Sequence, residues 1–288
     1  MHAGWWAERV RAGPPGKSEP EALRWLERFV GPVVRLMHRP TLTGVEHLPT
    51  AGAYLLVANH SGAFAASELL SLAVCWLERC GAHRPLAGMA HPFTFIIWPF
   101  TLFVRGVGAI PSTYGAAHVA LDQGVPVLVF PGGDHEATRP VWRANTVTFG
   151  GRRGFLRVAR NAGVPIVPMG IRGSHYSVPI LCRSRVLAWL YVVPRVFGIK
   201  RMPLTVLGVL VSAAILGLGA PHVGWGWAAL LTWAWLASPF HMLPWIPSTI
   251  RMRIGEPIGA RELFSDDDDG VARAYDRIEG AVQALVAS

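Results

Sequence analysis

From Glu19 to Arg39, apolar residues recur at Leu23, Leu26, Phe29, Val30, Val33 and Val34 with Arg and Glu between them, the spacing of one apolar helix face. This predicts an N-terminal amphipathic helical segment within residues 1–40. From "TLTGVEHLP" onward, short β-like runs alternate with helical ones. "AYLLVAN", "LAGMA", "GAIP", "VPVLVF" and "VPIVPMGI" read as strands, and Ala65–Arg79, Thr94–Val104, Tyr114–Gln123 and Arg152–Asn161 as helices. Such alternation predicts an α/β domain over residues 41–201, a mixed sheet covered by helices, because apolar strands need helices to bury them.

Between Met202 and Ile250 the chain runs 49 residues without Asp, Glu, Lys or Arg. Two apolar arms, Leu204–Ala220 and Val223–Leu243, flank Pro221-His222, and as helices each reaches about 25–30 Å. The pattern predicts an apolar, membrane-associated helical hairpin over residues 202–250, spanning or half-inserted. Packing on the domain or on a partner is the competing reading, since Gly208, Gly217 and Gly219 interrupt the first arm. Lys200 and Arg201 precede the hairpin and Arg251 and Arg253 follow it, which puts both ends on the cytoplasmic side. Residues 251–288 then return to the core as the strand "STIRMRIGEPI" and a last helix. The run Asp266–Asp269 suits a helix N-terminus, where the dipole favours carboxylates, and with no second acidic cluster it predicts no metal site.

Composition gives the apolar excess an owner. The 288 residues are 51% apolar and carry a net charge of +9, almost all from arginine, since only Lys17 and Lys200 are lysines. A mean hydropathy of +0.33 beside that charge favours membrane lipids over nucleic acid as the partner, and no recognition motif accompanies the scattered arginines. Cys75, Cys80 and Cys182 lack ligand spacing and read as reduced, buried small hydrophobes. The N-terminus has no continuous apolar stretch of the signal-peptide kind. A Gly-x-Ser-x-Gly elbow is absent, which removes the commonest serine hydrolase signature.

Candidate chemistry falls at strand ends. In "YLLVANHSGAFAASELL", His60 follows a strand and precedes Ser61-Gly62, and Glu68 is the nearby acid. "LVFPGGDHEATRP" empties a strand into Pro131, Gly132, Gly133 and Asp134; it spells either an ordinary turn or a backbone able to approach an anion or oxyanion. "FGGRRGFLRVARNAG" places Arg152 and Arg153 early in a helix, an arrangement suited to phosphate or carboxylate and equally to a solvated face.

In this order, the segments resemble the lysophospholipid acyltransferase family, exemplified by 1-acylglycerol-3-phosphate O-acyltransferases. "TGVEHLPTAGAYLLVANHSG", "VGAIPS", "VLVFPGG" and "GVPIVPMGI" are similar to its four blocks, and "FPGGD…RP" with "GRRGF" also resembles diacylglycerol acyltransferases. The resemblance implies a glycerolipid acyltransferase-like fold. It implies that His60 is the general base and that the co-substrate is an acyl thioester of coenzyme A or acyl carrier protein, with no bound cofactor. It further implies a glycerolipid acceptor at the third block and a place at the cytoplasmic face of the membrane, integral or monotopic. Ser61, Gly62, Pro131, Gly132, Gly133, Asp134, Arg139, Arg152 and Arg153 are the candidate substrate-binding residues.

Three departures qualify these expectations. The position of the family's acid is Ser67, so the supporting carboxylate is either shifted to Glu68 or absent; Asp134 and Glu136 are the alternatives across the site. A helix turns about 100° per residue, so Glu68 needs a local irregularity or a different rotamer to reach His60. The second block ends in Ser112-Thr113 rather than arginine, and Gly132 replaces a glutamate. These losses leave open a neutral-lipid acceptor (diacylglycerol or fatty alcohol), or a non-catalytic lipid-binding relative, beside a lysophospholipid such as lysophosphatidate.

Overall fold

A computed structural model describes residues 15–63, 66–95, 98, 100–191, 201–264 and 270–288. Strands β1 (Thr41–Thr43), β2 (Leu55–Ala58), β3 (Ala87–Ala90), β4 (Ile110–Pro111), β5 (Val127–Val129), β6 (Ile166–Arg172) and β9 (Arg251–Ile254) form one seven-stranded sheet. Its order is β1-β9-β6-β2-β5-β3-β4, and every neighbouring pair is parallel except β6 with β9. The mixed α/β sheet expected from the alternation is therefore present. Strands β7 (Ile180–Ser184) and β8 (Met202–Thr205), which the sequence pattern did not reveal, pair as a separate antiparallel ribbon.

Strand β2 shows why the sheet folds this way. All its residues are buried, and they alternate between two cores. Leu55 and Val57 pack with helices α4 (Tyr114–Asp122), α6 (Gly154–Ala162) and α11 (Gly270–Ala287) through Ala117, Leu156 and Ile278. Leu56 and Ala58 pack on the opposite face with Leu72, Cys75 and Trp76 of α2 (Ala66–Cys80). Burial on both faces is what makes "YLLVA" continuously apolar rather than alternating.

The helical run α1 comprises Pro20–Trp25, a π-helical stretch Leu26–Val30, and Gly31–His38. Leu26 and Val34 of its expected apolar stripe face inward, whereas Phe29 and Val33 are exposed together with Trp25 and Leu36. Cys182 is exposed, against expectation, while Cys75 is buried. The expected helix Thr94–Val104 is instead a 3-10 turn, Pro92–Phe95, and a short helix α3, Phe100–Gly106. Asp266–Asp269 lie outside the described residues.

The apolar segment departs from expectation in register. Leu204 belongs to β8, and the break falls at Gly224 rather than Pro221-His222, between α8 (Val206–Val223) and α9 (Trp225–Ala237). Helix α8 has 18 residues with mean hydropathy 2.0 and only 11% of them buried, making it long and apolar enough to cross a membrane. Helix α9, with 13 residues, is about 20 Å long, short of a ~30 Å hydrocarbon core. Thr205 ties the base of the pair: its Oγ1 accepts from Gly208 N at 2.9 Å and bonds His241 Nδ1 at 2.9 Å.

At the carboxyl end of β2, the buried Asn59 bridges to β6, donating from Nδ2 to the Ile171 carbonyl at 2.8 Å and accepting from Ile171 N–H at 2.7 Å. Asn59→Ala removes both bonds in a water-free position and is expected to lower stability by about 2–4 kcal/mol. Urea denaturation measures it as a lower midpoint at unchanged slope.

Candidate active site

The parallel strands β6, β2 and β5 are neighbours, so their carboxyl ends bring Gly173–Ser177, Asn59–Ser61 and Phe130–Gly133 to one edge of the sheet. Crevices outside such strand ends are where open α/β sheets bind ligands. His60 lies there with its ring stacked on Phe130 at 4.7 Å between centroids. Its side chain is 16% exposed, and Nδ1 is hydrogen-bonded to Glu68 Oε1.

Glu68 thus reaches His60 from the first turn of α2, despite following the family's acidic position by one residue. The irregularity is visible: Gly62 and Ala63 both take left-handed conformations, φ 73° and 61°. For alanine that conformation costs roughly 1–2 kcal/mol, and Ala63 N–H is held by the Ala137 carbonyl at 3.0 Å. The chain at Gly62-Ala63 is therefore not helical, and the 100° spacing argument does not govern Glu68. Ser67 is instead buried, its Oγ accepting from Ser177 at 3.1 Å.

The Glu68 carboxylate is fully buried, yet each oxygen has two donors. Oε1 accepts from His60 Nδ1 and from Ser61 N–H at 3.0 Å. Oε2 accepts from Ser61 Oγ at 2.5 Å and Ser174 Oγ at 3.0 Å. A carboxylate has about four such acceptor positions, so the buried charge is completely solvated by protein. In the tautomer that carries its proton on Nδ1, toward Glu68, the lone pair lies on Nε2, which has no partner among the described residues. Ser61, expected to touch substrate, is buried in this network.

Neither alternative acid reaches the ring. Asp134 pairs with Arg152, and Glu136 accepts from the His60 backbone N–H at 3.0 Å and from Thr148 N–H at 3.0 Å. Burial pushes the Glu136 carboxyl up to about 7 against these donors and Arg139. A Cβ on Gly132 would lie 2.2 Å from Glu136 Cγ, so Glu136 fills the space that a side chain at position 132 would enter. The glutamate missing from the third block is matched by a carboxylate reaching the same place from four residues on. Arg139, expected to bind substrate, is buried, with its terminal nitrogens on Glu136 at 3.3 Å and on the Ala144 carbonyl at 3.4 Å.

Of the expected backbone donors, Gly133 N–H is taken by the Phe130 carbonyl at 3.1 Å, while Gly132 N–H has no partner among the described residues. Arg152 donates to the Gly132 carbonyl at 2.8 Å, whereas Arg153 turns away over the Tyr275 ring at 6.0 Å. Beside this turn opens a pocket of about 480 Å³ lined by Asp134, His135, Arg152, Arg185, Trp189 and Arg201. Sequence reasoning found Asp134 and Arg152 and missed Arg185, Trp189 and Arg201, which the unforeseen ribbon and its helix α7 (Arg185–Leu190) carry to the pocket. It also missed Ser174 and Ser177, although the small polar run "GSHYS" after β6 was a strand-end signal of the same kind as "NHSG".

Comparison with known proteins gives these features a lineage. Residues 39–172 match the family described as Acyltransferase. The chain is 29% identical over 231 residues, 80% of its length, to an uncharacterized protein of Mycobacterium tuberculosis, and spans about half (55%) of that relative. It is 29% identical over 154 residues to the Bos taurus DGAT1/2-independent enzyme synthesizing storage lipids, covering 54% of this chain and 45% of the relative. Its fold is shared with the crystal structure of the 1-acyl-sn-glycerophosphate acyltransferase PlsC from Thermotoga maritima, at TM-score 0.52 and 17% identity, covering 92% of this chain and 80% of that one. The strand-end histidine and all four resembling blocks, from Thr43 to Ile171, fall inside residues 39–172, the region that matches the Acyltransferase family model.

Proposed function

We propose that the chain transfers a fatty acyl group from a thioester of coenzyme A or acyl carrier protein to the hydroxyl of a lysophospholipid such as lysophosphatidate. The observation that carries the reading is the His60–Glu68 pair at the carboxyl ends of β6, β2 and β5, the ring partly exposed and Nε2 without a partner among the described residues. In this scheme Nε2 takes the acceptor hydroxyl proton as the oxygen attacks the thioester carbonyl. Glu68 orients the ring and stabilises the imidazolium. Gly132 N–H is the available donor for the tetrahedral oxyanion. Collapse breaks the carbon–sulfur bond, the imidazolium returns its proton to the departing thiolate, and the ester and free thiol leave. The exposed Trp225, Trp227, Leu218 and Leu230 support attachment of α8 and α9 at the cytoplasmic face of a membrane, and the short α9 favours half-insertion over spanning.

A second reading, transfer to a neutral lipid, draws support from the similarity to the Bos taurus storage-lipid enzyme and from Ser112-Thr113 in place of a block arginine. Assays of the purified chain with lysophosphatidate, diacylglycerol and fatty alcohol, each with acyl-CoA and with acyl carrier protein thioester, distinguish the two. Product from none of these pairs sinks both.

His60→Ala is expected to lower kcat by ~10² to 10⁴ while lipid binding persists; retention of full rate removes His60 as the base. Glu68→Gln keeps the shape but presents an amide to Nδ1, and a loss on the order of 10² or more in kcat is expected. Ser67→Asp, which would restore the family's acid position, is expected to reduce both rate and stability, because it crowds a second carboxylate into the buried network already occupied by Glu68. A rate equal to or above the unmodified chain would show that Glu68 is not the working partner.

A further inference from the structure

The pocket beside the Gly132–Gly133 turn is electrostatically unbalanced. Arg152, Arg185 and Arg201 line it, with Asp134 the single carboxylate among its lining residues. Asp134 is already paired with Arg152, whereas Arg185 and Arg201 have no carboxylate partner among the described residues. Arg183 backs the lining residue His135, its guanidinium bonded to the His135 carbonyl and to His135 Nδ1 at 3.3 Å. Burial, followed by Arg183, Arg152 and Arg201, lowers the His135 pKa, so this imidazole adds no further cation at neutral pH. Converging guanidiniums without counter-charge repel one another unless an anion joins them, and their forked donors suit a phosphate dianion.

The pocket also has an apolar exit. Helix α7 exposes Val186, Trp189 and Leu190 beside the arginines, and Trp233 of the apolar helix α9 donates from Nε1 to the Leu190 carbonyl at 3.0 Å. A ligand with a phosphate at one end and an acyl chain at the other matches this sequence of surfaces. A soluble nucleotide phosphate matches only the first.

We propose that Arg185 and Arg201, from outside the matched family region, complete with Arg152 a seat for the phosphate monoester of a lysolipid acceptor whose acyl chain leaves along α7 and α9. This rests on the acyl-transfer reading for its acceptor role and restores the phosphate contact that "GAIPST" does not supply. The substrate class of the site is then a phosphate-bearing glycerolipid rather than diacylglycerol or a fatty alcohol.

The test is direct binding to the purified full chain by titration calorimetry, using hexanoyl lysophosphatidate, hexanoylglycerol and adenosine 3′,5′-bisphosphate as probes, and vesicles containing phosphatidic acid as a fourth. In the unmodified chain, glycerol 3-phosphate should compete with hexanoyl lysophosphatidate. The double variant R185A/R201A should weaken hexanoyl lysophosphatidate about tenfold or more and leave hexanoylglycerol and the bisphosphate unchanged. Absence of competition overturns the proposal without relying on any variant. So do unchanged lysophosphatidate affinity in the double variant, a loss confined to the bisphosphate, which would assign the pocket to the thioester donor, and a loss confined to vesicles, which would assign it to bilayer headgroups. Binding needs no turnover: a chain that fails every transfer assay yet holds lysophosphatidate through these arginines sinks the acyl-transfer reading and leaves the phosphate seat standing.

Discussion

A carboxylate with no access to water sets the geometry of this site. Removing an ion from solvent costs several kcal/mol unless its acceptor positions are filled. Glu68 has them filled by His60, Ser61 and Ser174. Each donor comes from a different constraint: the ring from the end of β2, the hydroxyl and amide from the next residue, the last hydroxyl from the turn after β6. Moving any of them leaves a buried charge short of a partner, so the arrangement holds the imidazole by energetic necessity rather than by packing alone.

The sheet makes this possible because three adjacent parallel strands end together. Asn59 fastens β2 to β6 one residue before the histidine, and Glu136 takes the histidine's own amide from the side of β5. Backbone and ring are thus fixed from opposite flanks. The ribbon β7–β8 and α7 share a small core with Ala63, including Val178, Ile180 and Met202, and this couples the left-handed turn beside His60 to the wall of the arginine pocket.

The sequence carried the central sheet well, because strands buried on both faces must be apolar throughout and the helices between them must cover those faces. It carried His60 and Gly132 through position at strand ends. Glu68 was visible only as a nearby acid, since two consecutive left-handed residues, one of them alanine, are not encoded in any residue pattern. The Arg139–Glu136 contact was not legible, because the pattern of an arginine near a glycine turn does not say whether its charge faces a ligand or a buried glutamate. The ribbon strands were missed because they are short, and their partnership spans a stretch without periodicity of its own. The apolar arms were legible as helices but not their break, which falls at Gly224, a positive-φ glycine, three residues past the proline.

Gly132 and Glu136 occupy one volume between them. An acidic group can be supplied from either position, but a large residue at both collides and a small residue at both leaves the His60 amide and Thr148 amide without their shared acceptor. The two sites are therefore coupled alternatives, and passage from one arrangement to the other crosses an unfavourable intermediate whichever change comes first. Lineages of such domains should sort into discrete types at this pair, and column-by-column reading of the block would score as a vacancy what is a relocation in space.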